Sequence, residues 1–318
     1  MSIGISVVIC THNPREDYFS RTLDGLKLQT ADLAAWELIV VDNQSTVPLR
    51  GRLSFDWHPN ARVVEETKLG LTPARLRGIR EARGPLLILV DDDNVLDPDY
   101  ITVASRISHE RPFLGAWSGQ CRPSFEEPPP DWTRRYWGNL VIREFREDRW
   151  SNLPRLPETM PCGAGLCIRH EVAEHYFQMN ESGQRSFQFD RTGDSLVSGG
   201  DNDLAACACD LGLGVGIVTA LKLQHLIPPQ RLTADYLARL AEGITFSSVL
   251  LDATRGLPVR ERTKARRMVD LVRLALLPQP HRSIQKAVLR GHDRAIKQVF
   301  EINASQGRIR QPQITESV

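Results

Sequence analysis

Leu87-Ile88-Leu89-Val90-Asp91-Asp92-Asp93-Asn94 carries an apolar strand-like run straight into three consecutive carboxylates. An apolar stretch of this length without polar alternation is the pattern of a strand covered on both faces. Carboxylates this close oppose one another's ionisation, so they persist as anions when solvated, hydrogen-bonded or matched to a cation. Oxygen ligands suit hard divalent ions such as Mg2+ or Mn2+, and Mg2+ typically binds through one or two carboxylates plus a substrate's phosphates. The run therefore points to a phosphorylated substrate. The plainer alternative is a solvated acidic turn after a strand.

The same β-branched texture recurs upstream in Ile5-Ser6-Val7-Val8-Ile9-Cys10 and Glu37-Leu38-Ile39-Val40-Val41-Asp42. Between these strands Asp17 to Gln29 carries Phe19, Leu23, Leu26 and Leu28 at near-helical spacing, which predicts a βαβ unit with a right-handed crossover. Arg62-Val63-Val64-Glu65 predicts a third strand, Thr72 to Arg83 a helix with Pro73 at a first helical position, and Leu86 to Val90 the next strand. This alternation predicts a doubly wound α/β sheet, mostly parallel, with ligands outside the carboxyl ends of its strands. Thr11-His12-Asn13, Asp42-Asn43 and Asp91 to Asn94 all fall at such ends. Three polar clusters thus converge on one rim, which separate solvated turns do not require.

From Trp117 to Met160 the chain turns rich in proline and aromatic residues, including Pro123, Pro128-Pro129-Pro130, Trp132, Tyr136-Trp137 and Trp150. Long segments of this kind are functional loops or connectors, here a lid or acceptor wall, or aromatics packed on the sheet. Regular structure is expected to resume at Pro161 to Ile168. Ser198-Gly199-Gly200-Asp201-Asn202-Asp203-Leu204 opens a helix, and Leu213 to Thr219 and Leu221 to His225 are two late strands. From about Thr233 the sequence reads as helices. Arg260, Arg262, Lys264, Arg266, Arg267 and Arg273 crowd one part of it among Met268, Val269, Leu271, Val272, Leu274 and Leu276. A basic amphipathic helix either lies on an anionic membrane surface or packs its apolar stripe on the catalytic domain while its arginines face water. The residues after Asn303 read as a polar, frayed end.

Composition sets bounds on these readings. With 318 residues, 41% hydrophobic and 25% charged, the chain reads as an ordinary soluble globular protein able to bury a real core. A formal net charge of +1 gives no overall field that would recruit nucleic acid. Met1-Ser2-Ile3-Gly4 runs directly into a strand with no basic n-region or cleavage site, and no apolar stretch approaches the roughly 18–20 residues of a spanning helix. A cytoplasmic protein is expected, free or peripheral at the inner face of the membrane through its basic helices. Cys10, Cys121, Cys162, Cys167, Cys207 and Cys209 form no CxxC or zinc-like spacing, so reduced thiols are expected, with Cys207 and Cys209 as small core residues.

From about Ile5 to His225 the chain resembles family 2 glycosyltransferases of the A-type glycosyltransferase fold. Val8-Ile9-Cys10-Thr11-His12-Asn13 is similar to the family's opening strand and loop, Val40-Val41-Asp42-Asn43-Gln44-Ser45 to its second, and Leu69-Gly70-Leu71-Thr72-Pro73-Ala74-Arg75 to its helix start. Asp91-Asp92-Asp93-Asn94 stands in the place of its Asp-x-Asp element, and Gly199-Gly200-Asp201-Asn202-Asp203-Leu204 in that of its catalytic-base loop. The order of five elements is far more specific than any one. The resemblance implies a single Rossmann-like catalytic domain over residues 1–230, with a nucleotide-binding half at 1–115 and an acceptor-side half at 116–230. Residues 231–318 would be a C-terminal helical extension.

The roles that follow are those the resemblance implies. Asp93 would ligate Mg2+ or Mn2+, and His225 would be an additional metal or phosphate ligand. Asp91 or Asp92 would contact the ribose or a metal-bound water. Thr11 and Asp42 would meet the nucleoside, Asp42 by accepting a hydrogen bond from the base or else serving as a strand-end cap. His12 and Asn13 would wall the nucleotide pocket, and Arg75 would pair with the base or the phosphates. Asp201 would take the proton from the acceptor hydroxyl as it attacks the anomeric carbon, with Asp203 as the fallback. One base and no opposing acidic nucleophile imply a single displacement and hence inversion. Lys68 and Leu76 stand where many relatives carry asparagines, and Gly200 where many carry an acid.

The expectation is therefore a metal-dependent, inverting glycosyltransferase that moves a sugar from a nucleotide-sugar donor, UDP-sugar first, to a glycan or lipid-linked glycan acceptor in cell-surface polysaccharide biosynthesis. A nucleotidyltransferase would need a Gly-rich, Arg-containing phosphate loop after the first strand, and a dehydrogenase would need GxGxxG there. Thr11-His12-Asn13-Pro14 is neither. The non-enzyme alternative is an inactive relative acting as an assembly partner.

Overall fold

β2 (Trp36–Asp42) and β4 (Leu86–Val90) are buried along their whole length, and β1 (Ile5–Thr11) along nearly all of it, which is why none alternates. The computed structural model describes residues 3–183 and 199–305, so Ser198 and the polar end beyond Ser305 lie outside the described residues. In chain order come β1, α1 (Glu16–Lys27), β2, β3 (Ala61–Glu65), α2 (Leu71–Glu81), β4, β5 (Asn94–Leu96), α3 (Tyr100–Glu110) and β6 (Leu114–Phe125). Then follow β7 (Arg149–Ser151), β8 (Leu166–Arg169), α4 (His170–Glu181), α5 (Gly200–Asp210) and β9 (Gly214–Ile227), and last α6 (Ala234–Thr254), α7 (Lys264–Leu276) and α8 (His281–Ser305).

The strands form one sheet in the order β3-β2-β1-β4-β8-β6-β9-β5, with β7 paired to β9. The longer ladders are parallel: β1 with β2 and β4, β2 with β3, and β6 with β9. Short antiparallel pairings of β8, β5 and β7 complete it. One face is covered by α1 and α3 through Phe19, Leu23, Leu26, Tyr100 and Ile107, the other by α2, α4 and α5 through Ala74, Ile79, Val172, Tyr176 and Leu204. The mixed α/β sheet of the sequence reading is present. Strand order reverses between β1 and β4, and such a reversal opens a crevice at the carboxyl ends of those strands.

Two segments differ from expectation. Part of the proline-rich stretch is strand β6, which runs through Pro123 to Phe125, and Asp131–Leu140 forms 3-10 turns. The two late strands are one, β9, whose pairing with β6 slips between Ser118 and Gln120. Gly119 permits this slip, since a Cβ there would collide with the Leu221 carbonyl oxygen.

A buried ionic knot ties the amino ends of the first strands. Glu37 is fully buried, pairs with Arg62 at 2.6 Å and Arg83 at 2.7 Å, and accepts hydrogen bonds from the Ser6 hydroxyl and the Arg83 N–H.

The described residues fall into two compact units, one of 3–183 with 200–229 and one of 230–305 with Gly199. In the second, α6 and α8 pack closely, with the Gly291 position against the Glu242 backbone, and Glu242 binds Arg290 and Arg294 at 2.9 and 2.7 Å. Among the described residues no helix is long and apolar enough to cross a membrane.

Candidate functional site

The carboxyl ends of β1, β2 and β4 bring the polar clusters together. Thr11 and Asp42 are Cα partners at the ends of β1 and β2, and the Thr11 hydroxyl donates to the Asp92 carboxylate. The Thr22 hydroxyl of α1 donates to the Asp92 carbonyl at 3.1 Å, so the acidic run is fastened to both β1 and α1.

His12 has the orienting partners that its sequence surroundings did not reveal. Its Nδ1 lies 2.7 Å from the Asn43 carbonyl, which can only accept, so Nδ1 carries the proton and Nε2 accepts from the Asn13 amide at 3.0 Å. Asn13 in turn accepts from the Thr46 N–H and donates its own N–H to Ser45, held at a positive φ of 49°. The Asp42 carboxylate accepts from the backbone N–H groups of Ser45 at 3.0 Å and Leu49 at 2.8 Å, which are the contacts of a strand-end cap.

Asn43, placed on the rim by its position after β2, is a hub to which no role had been assigned. Buried, it donates to the Glu66 and Lys68 carbonyls and accepts from the Gly70 N–H at 2.8 Å, locking the loop that leads into α2. Asparagine directly after a strand-end aspartate, before turn residues, was the available signal.

Asp93 and His225 meet because β5 folds back onto β9. The Asn94 N–H closes a turn onto the Asp91 carbonyl at 3.0 Å, Asn94 then pairs with His225, and the Leu226 N–H reaches the Asp93 carbonyl at 2.9 Å. Both side chains are buried, and His225 Nε2 lies 3.4 Å from Asp93 Oδ2. On its other side His225 Nδ1 contacts the Leu140 carbonyl at 3.0 Å, so Nδ1 is the protonated nitrogen. His225 Nε2 and the Asp93 carboxylate thus face one another as two ligand atoms of one cation would.

Asp91 shares this corner. Burial first, then neighbouring Asp93, push its pKa above the ordinary carboxylate value, Arg75 and His225 oppose that rise, and Asp201 adds to it. Arg75, buried on α2, thus brings positive charge to the acidic cluster.

Asp201 stands in the first turn of α5, half-buried, with Oδ2 accepting the Gly163 N–H at 2.7 Å. Asp203, two residues on, is 1% exposed and faces the packed side of the helix. No sequence signal marked Gly163, whose role rests on its lack of a side chain. His175, Cys207 and Asp210 on α4 and α5 also place one ligand atom each within 4.8 Å of one another, but this grouping shares no residue with the rim. Cys207 is buried in the core as expected, Cys209 is partly exposed, and all six cysteines are free thiols.

Comparison with known proteins gives the family and the fold. Residues 6–177 match the family described as Glycosyl transferase family 2. An "Uncharacterized protein y4gI" of Sinorhizobium fredii (strain NBRC 101917 / NGR234) is 31% identical over 112 residues, 34% of this chain and 12% of that protein. An "Uncharacterized glycosyltransferase YwdF" of Bacillus subtilis (strain 168) is 33% identical over 99 residues, 30% of this chain and 35% of that protein. The matched segment thus spans well under half the length of either relative. The crystal structure of S. aureus TarS 1-349 has a TM-score of 0.51 at 16% identity, covering 99% of this chain and 95% of that one. GalNAc-T7, crystallised with UDP, GalNAc and Mn2+, gives 0.50 at 15% identity over 84% and 53%. At these identities the two structures speak for the fold.

Proposed function

Because the chain belongs to glycosyl transferase family 2, we propose that it is an inverting glycosyltransferase that uses a nucleotide-diphosphate sugar and a divalent cation. A UDP-sugar is the donor we assign first, and a glycan or lipid-linked glycan the acceptor, in cell-surface polysaccharide biosynthesis at the cytoplasmic side of the membrane. The catalytic domain is residues 1–230 and the helical extension 231–318. UDP and Mn2+ in the GalNAc-T7 structure support this choice of donor and cation.

The observation that carries the proposal is the buried pair of Asp93 and His225, whose Oδ2 and Nε2 face one another at 3.4 Å. These residues suit Mg2+ or Mn2+, with Asp91 beside them. When bound, the ion supplies Lewis-acid stabilisation of charge on the departing diphosphate. Arg75 brings a fixed positive charge to the same corner, where preorganised charge is worth most. Thr11, His12, Asn13 and Asp92 form the nucleoside wall, and Asp42 shapes it by holding the loop to Leu49. Asp201, oriented through Oδ2, takes the acceptor proton, a task Asp203 cannot share from within the core.

A panel of nucleotide sugars, incubated with Mn2+ added or chelated, tests the reading. Asp201→Asn should keep Mn2+-dependent UDP binding in calorimetry and lose transfer by about 10²–10⁴-fold. Asp93→Ala should weaken that binding itself. No turnover and no nucleotide binding anywhere in the panel would reject the proposal.

A further inference from the structure

α7 inverts the usual surface helix, because its charged side is packed and its apolar side is open. Its buried residues are Asp270 and Leu274, whereas Met268, Val269, Leu271, Val272 and Leu276 are 64%, 43%, 62%, 56% and 80% exposed. At 100° per residue these five share one arc with Ala265, Ala275 and, in the first turn, Lys264, and Arg266 and Arg273 border it on one side, Arg267 on the other.

This orientation is fixed. Asp270 pairs with Arg262 at 2.9 Å and Arg266 at 3.5 Å, Arg262 also binds Asp293 of α8, and Arg282 donates to the Ala275 and Leu277 carbonyls at the end of α7. Ion pairs and a cap therefore hold the polar side down, with Leu274 buried beside them.

We propose that the open face of α7 is a docking surface for a bilayer containing anionic phospholipid. Charge complementarity chooses the occupant. Residues 230–305 hold fourteen Lys and Arg against seven Asp and Glu, although the whole chain carries only +1. A cation-rimmed apolar stripe suits a helix lying in the lipid interface, its apolar residues among acyl chains and its arginines at the headgroups. A second copy fits less well, since two α7 helices related by a two-fold axis would bring like-charged rims together. The inference is independent of the catalytic reading, because it concerns lipid and no sugar.

Flotation of the full chain with phosphatidylcholine vesicles, with and without phosphatidylglycerol, tests it. Wild type should float with the anionic vesicles and bind pure phosphatidylcholine at least about tenfold more weakly, and the preference should fade in high salt. Leu271→Glu with Val272→Glu, both at exposed positions, should lower anionic-vesicle affinity about tenfold or more with an unchanged melting temperature. Equal flotation of wild type and the double variant would overturn the proposal. So would no flotation at all, and a concentration-dependent dimer abolished by the same variant would then assign the face to a second copy.

Discussion

The Gly163 backbone N–H donates to Oδ2 of Asp201 across 2.7 Å, so a residue with no side chain orients the carboxylate assigned as base. The bond joins the segment before β8 to the first turn of α5, and its partner has little room to move. A Cβ at position 163 would stand 2.9 Å from Asp201 Oδ2 and 3.1 Å from its Cβ.

Gly163→Ala should therefore displace Asp201 while leaving the metal corner intact. A shift of about 1 Å in a catalytic group can cost about 10²-fold, so kcat should fall by roughly one to two orders of magnitude. Calorimetric affinity for UDP with Mn2+ should hold, as should the melting temperature. A variant with normal kcat would remove Asp201 from the proposed role.

His225→Ala should weaken Mn2+ binding by at least about tenfold, because it removes the ring that the Leu140 carbonyl holds toward Asp93. Titration of Mn2+ alone, followed by its paramagnetic resonance signal, reads this without substrate. Unchanged affinity would exclude His225 as a ligand.

Much of this corner could be read from residues alone, for a definite reason. Strands covered on both faces are written as unbroken apolar runs, so β1, β2 and β4 and the acids at their ends were legible to within about a residue. β6 was not, because Gly115, Gly119 and Pro123 give it the look of a loop. Those glycines are there because the Leu213 and Leu221 regions pack where a Cβ would go. Asp93 and His225 stand 132 positions apart, and only the fold-back of β5 onto β9 joins them. The direction of α7's stripe was equally hidden, since periodicity shows that a helix has two faces and not which one is packed.

His58 should make stability fall on mild acidification. It is buried against Trp36 and Trp57, and its Nδ1 accepts the Asn60 N–H at 3.1 Å. Burial lowers its pKa from 6.5 to about 4. Between those values the unfolded chain binds the proton and the folded one does not, so stability drops as pH falls from 6.5 towards 4, by up to about 3 kcal/mol. His58→Phe should flatten that part of a pH series of urea unfolding curves, at a cost of about 1 kcal/mol at pH 7 for the lost turn bond. An undiminished slope would place the acid sensitivity elsewhere.

Glu37 should govern a second, more acidic window. Burial alone would raise its pKa, yet the Arg83 and Arg62 guanidiniums, the Ser6 hydroxyl and the Arg83 N–H outweigh it and hold the value at about 2 instead of 4.5. A depressed carboxylate stabilises the fold fully above the unfolded value, so the contribution is complete above pH 4.5 and disappears as pH falls towards 2. The linkage amounts to about 3 kcal/mol at most, and Arg83 is exposed enough for solvent to screen part of it. Glu37→Gln should thus destabilise by about 2–3 kcal/mol at pH 7, where it removes the carboxylate that Arg62 and Arg83 share. The gap to wild type should narrow steadily below pH 4.5, whereas His58→Phe converges with wild type at higher pH. Urea unfolding of both variants over the two windows separates the contributions, and a Glu37→Gln deficit that stayed constant from pH 7 to pH 3 would show that the knot holds its charge no better than a neutral hydrogen bond.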